Sequence, residues 1–89
     1  MAVELNHTIV HARDPLASAT MLAQILGLAP PLRFGPFEGV TLANGVTLDF
    51  TRASATLTVE HYAFLVSEAE FDAILARLAE ARERERARG

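Results

Sequence analysis

Two strand-like stretches that each open on a histidine limit what this 89-residue chain can fold into. The first is Leu5-Asn6-His7-Thr8-Ile9-Val10 and the second is Val59-Glu60-His61-Tyr62-Ala63-Phe64-Leu65-Val66. Each is followed by a turn and then by a helix-forming segment with an apolar stripe. A strand and helix that occur twice predict a duplicated βα unit, with the two histidines at equivalent places. Imidazole is the commonest side-chain metal ligand, so equivalent histidines on one sheet are half of a plausible metal site.

The punctuation of the chain supplies the rest of the fold. Val3, Leu5, His7, Ile9 and His11 share one parity, with Asn6, Thr8 and Val10 on the other, which predicts a strand. Asp14 before Pro15 is a helix start. Leu16, Ala19, Leu22, Ala23 and Leu26 then recur at helical spacing until Gly27 and Pro30-Pro31 stop the helix. Leu32 to Phe34 is a short strand, Gly35-Pro36 a turn, and Phe37 to Ala43 a second strand. Asn44-Gly45 predicts a two-residue type I′ hairpin, from which Val46 to Thr51 returns antiparallel. Residues 57–66 form the second histidine-bearing strand. Ser67 with Glu70 is a capping box for a last helix whose inner face is Phe71, Ile74, Leu75, Leu78, Ala81 and Arg82. Beyond Arg82 the alternating Arg and Glu residues are expected to project into solvent or fray. The expected class is α+β: a βαβββ module, then a partial second βα unit, in one domain over residues 1–89 with the helices on one face of a curved mixed sheet.

Composition excludes several functions. Without cysteine there is neither a disulfide framework nor a thiolate site. A net charge of −3 gives no reason to expect nucleic acid, and no apolar run approaches the ~18 residues of a membrane helix. With no basic signal-peptide stretch at the start, the expected location is the cytoplasm. No phosphate loop, catalytic triad or thiol nucleophile is present.

The order and spacing of these motifs, over residues 4–80, resemble the vicinal oxygen chelate superfamily. That group includes glyoxalase I, bleomycin-binding proteins and extradiol ring-cleaving dioxygenases. The resemblance is carried by the His7 strand, Asp14, the helix ending Ile25-Leu26-Gly27-Leu28, the Gly45-to-Phe50 strand, and His61 to Val66 with Glu70-Phe71 after it. It implies a cupped sheet made of two βαβββ modules, holding one divalent metal (Zn, Ni, Fe or Mn) that activates adjacent oxygens of a small-molecule substrate. Carried over by position, His7 and His61 take the equivalent ligand places of the two modules. Asp49 falls where glyoxalase-type members place a carboxylate. A last ligand, usually Glu on the final strand, has no counterpart here, because the second module ends after its helix.

Each residue also has a plainer reading. His7 and His61 are polar residues inside a small cup on that reading, and Asp49, which alternates with Thr47 and Thr51, is a solvated carboxylate. His11 and Arg13 are read as surface residues, Tyr62 and Phe64 as core under a helix. Phe34 and Phe37 either cover a turn or rim a pocket. Glu68, Glu70 and Asp72 are acids favoured by a helix N-terminus. Three functions stay open: a metal-dependent lyase, dioxygenase or transferase; a metal-free protein that sequesters a small molecule; and a truncated, non-catalytic subunit. A homodimer is expected, because an unclosed sheet leaves an edge ready to pair.

Overall fold

A computed structural model describes residues 3–54 and 60–87. Its elements are β1 (His7–Ala12), α1 (Pro15–Leu26), β2 (Leu32–Phe34), β3 (Phe37–Thr41), β4 (Thr47–Arg52) and α2 (Glu68–Ala87). The strands form one mixed sheet in the order β1-β4-β3-β2. β1 and β4 run parallel, with His7 beside Thr47 and Ile9 beside Asp49. β4, β3 and β2 run antiparallel in turn. The fold is therefore α+β, a β-α-β-β-β module followed by a C-terminal helix.

Strand alternation sorts the sheet into two faces. Val10, Ala12, Val40, Leu48 and Phe50 point to α1 and form the core with Ala19 and Ala23. The two alanines, one turn apart on α1, are almost fully buried. Their small side chains let the helix axis approach the sheet closely enough to cover Val40 and Leu48. This core is small, and Val40 is its one large side chain that is fully buried among the described residues. Glu38 is also buried on this face, where it accepts a hydrogen bond from Arg33 across the β2–β3 pair at 3.1 Å.

The caps follow the sequence closely. Asp14 accepts from the Ala17 amide at 3.1 Å, Pro15 takes the first helical position, and Gly27 closes the C-terminus. At α2 the capping box is reciprocal. The Ser67 hydroxyl accepts from the Glu70 amide, and the Glu70 carboxylate accepts from the Ser67 amide.

Four expectations are corrected. The β3–β4 turn is not type I′: Gly45 has φ 87°, but no described residue other than glycine has positive φ, so Asn44 is excluded from that geometry. The Gly45 amide donates to Leu42 and the Leu42 amide to Val46, which makes a three-residue loop ending on a left-handed glycine. Asn44 instead accepts from the Val46 amide. Second, residues 60–66 lie in no strand, and residues 57–59 of the expected strand fall outside the described residues. A strand exists only against a partner ladder, and no described strand pairs with these residues. Third, α2 packs on α1 rather than on the sheet. Ile74, Arg77 and Ala81 turn inward, so Phe71, Leu75 and Leu78 of the expected inner face stay exposed. The Arg/Glu segment projects into solvent, as expected, and stays helical to Ala87. Fourth, Tyr62 and Phe64 are exposed rather than core. No helix among the described residues is long and apolar enough to cross a membrane.

Candidate functional site

The face of the sheet away from α1 is a concavity of about 380 Å³. Its lining includes Asn6, His7, Ile9, Thr47 and Asp49, walled by Leu32, Phe34 and Phe37. The parallel register sets His7 and Asp49 on this face, one alternation step apart on adjacent strands. By strand spacing and rise their Cα atoms are roughly 8 Å apart.

Asp49 is the chemically unusual residue here. It is 6% exposed, and its Oδ1 is buried with no hydrogen-bond partner. The plain reading of a solvated carboxylate therefore fails. Buried polar groups are nearly always paired, and a carboxylate accepts but cannot donate, so an orphan Oδ1 is suited to a cation or a donor from outside the chain. The contrast with Glu38 is direct, since that buried carboxylate has Arg33 as its partner.

His7 is exposed, and its Nδ1 lies 2.8 Å from Asn6 Oδ1. An amide oxygen accepts, so Nδ1 is the donor in this contact, and in the neutral tautomer that fits it the Nε2 lone pair is left for a ligand. His61, exposed in the strandless segment before α2, is not among the lining residues. Among the described residues no three of His, Cys, Asp and Glu come together as a metal-binding group. The single chain thus assembles two of the three expected donors, His7 and Asp49, and leaves His61 apart. These two fit a divalent ion in kind but are fewer than the usual three of a catalytic centre.

Two contributors were not evident from motif reading. Asn6 orients His7, and Gly39 faces Asp49 across the β3–β4 ladder. A Cβ at Gly39 would lie 2.9 Å from Phe34 Cε1, 3.2 Å from Asp49 Oδ1 and 3.3 Å from Thr47 Cγ2. The signal was an isolated glycine inside a strand, which often marks a close approach. Phe34 and Phe37, with ring centroids 5.6 Å apart, rim the pocket; Thr51 ties their turn to β4 by donating to the Pro36 carbonyl. His11 and Arg13 are on the surface, as expected.

No protein-family model matches the chain, and no curated protein matches it. Among solved structures it is similar to oxidase ChaP-H1, with 57% identity and a TM-score of 0.87 over 90% of this chain and 64% of that one. Oxidase ChaP-H2 is similar at 53% identity and a TM-score of 0.87, over 91% of this chain and 64% of that one. Protein ATC0852 from Agrobacterium tumefaciens, solved by NMR in solution, shares 25% identity at a TM-score of 0.62, over 90% of this chain and 72% of that one. The chain therefore spans 64% of the length of each of the two oxidases.

Proposed function

We propose that this chain is an oxidase-type domain of the vicinal oxygen chelate kind, which binds a small molecule in the cup beside a divalent metal. The observation that carries this reading is the orphan Asp49 oxygen on the same face as the free Nε2 of His7. Support for the reaction class comes from the two similar proteins named as oxidases. In this reading His7 and Asp49 hold the ion, and Asn6 keeps the imidazole turned toward it. Leu32, Phe34 and Phe37 hold the apolar flank of the substrate and keep water from it. The ion, when bound, supplies Lewis-acid activation of substrate oxygens.

The third donor in this proposal is His61 of a second copy. Among the described residues β1 pairs with β4 alone, and residues 60–66 lie in no strand and are rich in strand formers. Addition of that segment to the β1 edge of a second copy would bring a histidine next to His7. That is the ground for proposing a homodimer.

Titration with Mn²⁺, followed by calorimetry and by paramagnetic broadening of amide signals, tests the site. Broadening is expected around His7 and Asp49, and His7→Ala or Asp49→Asn is expected to weaken binding at least tenfold. Binding that is absent, or unchanged in both variants, overturns the metal site. It would favour metal-free sequestration, a reading that also rests on the lack of a three-donor group among the described residues.

A further inference from the structure

An open concavity does not by itself hide a carboxylate, so something must keep Asp49 Oδ1 from water. Phe34 Cε1, Asp49 Oδ1 and Thr47 Cγ2 converge on the one point where Gly39 lacks a Cβ. The ring therefore lies into the space above Gly39, beside the carboxylate, while half of Phe34 still faces solvent. We propose that Phe34 is the access-determining residue of the cup: its ring closes the path to Asp49, and a ligand reaches the carboxylate only when the ring swings aside. This rests on the cup being the functional site.

The ring is built to move. β2 is an edge strand of three residues, all of them exposed. The aromatic contact made by Phe34 is a tilted one with Phe37, at 39° between planes. Swinging out breaks no hydrogen bond, because the β2–β3 ladder is carried by backbone. The displaced ring then becomes a wall of the opened site. The ligand class follows from that wall: a small molecule with an apolar flank for the ring and a cationic or hydrogen-bond-donating end, or a held ion, for Asp49.

Carbodiimide-driven amidation of carboxylates with glycinamide, read by peptide mass spectrometry, tests this without metal. Glu38 is equally buried but lies on the opposite face, paired with Arg33, and serves as the internal reference. In the wild-type protein Asp49 is expected to label as slowly as Glu38. In Phe34→Ala the ratio of Asp49 to Glu38 labelling is expected to rise at least tenfold, and in Phe34→Trp to stay low. Rapid Asp49 labelling in wild type overturns the proposal. So does an unchanged ratio in Phe34→Ala, whether both groups stay protected or both open together. Failure of Mn²⁺ to bind would remove the metal reading and leave this ratio to judge the ring.

Discussion

Gly39 is where one atom decides the shape of the cup. Any side chain there meets Phe34 and the Asp49 carboxylate at less than ordinary contact distance, with Phe34 the nearer of the two and half exposed. Gly39→Ala is therefore expected to push Phe34 outward. Overpacking of this kind costs about 1–3 kcal/mol, which urea denaturation would measure as a lower midpoint. An unchanged midpoint would mean that the space above Gly39 is slack. Gly45 poses a different problem, since its φ of 87° is left-handed and nothing lies near the position of its missing Cβ. Gly45→Ala should cost about 1 kcal/mol through backbone strain alone and leave Asp49 labelling untouched.

At the scale of elements, the helices are held by their ends as much as by their faces. The Asp14 cap on α1 satisfies the Ala17 amide, and Asp14→Ala is expected to cost about 1 kcal/mol of global stability because α1 covers the core. α2 depends on its capping box and on Arg77, whose guanidinium donates to the Ile25 carbonyl near the C-terminus of α1 at 3.1 Å. The backbone hydrogen bond from Ser67, and then the one with its side chain, lower the pKa of Glu70 below its ordinary value. A lowered pKa means the folded helix binds protons less readily than the unfolded chain. The contribution of Glu70 is thus complete above its ordinary pKa and lost as pH falls through the lowered one. Helix content followed by circular dichroism should fall in acid more in wild type than in Glu70→Gln, which lacks the titration. Equal acid profiles would show that the cap does not hold α2.

For the molecule as a whole, the extent of packing is the telling quantity. The radius of gyration is 14.2 Å, against about 12 Å for a compact chain of this length. α2 touches only α1 among the elements, and Phe71, Leu75 and Leu78 are left in solvent. Exposed apolar surface, together with a β1 edge that no described strand covers, favours association. Sedimentation at micromolar concentration is expected to give at least a dimer. Tyr62→Pro, which removes an amide from the segment proposed to add to β1, should return it to a monomer with unchanged helix content. A wild-type monomer would leave His61 without a route to the cup.

What could be read from the sequence was local. The Asp14-Pro15 start, the Ser67–Glu70 box, the β2–β3 turn at Gly35-Pro36 and the shared parity of His7 and Ile9 depend on residues a few positions apart, and the structure repeats them. Two of the three candidate ligands, His7 and Asp49, line one cup, because strand alternation already separated them from Val10, Leu48 and Phe50. Tertiary structure alone decided the rest. That Asp49 is buried depends on Phe34, fifteen residues away in the chain and two strands across the sheet. Whether residues 60–66 make a strand depends on a partner ladder, and which stripe of α2 turns inward depends on where α1 lies. Hydrogen-bond ladders and close packing join residues distant in sequence, and no periodicity along one segment records which partner it will meet.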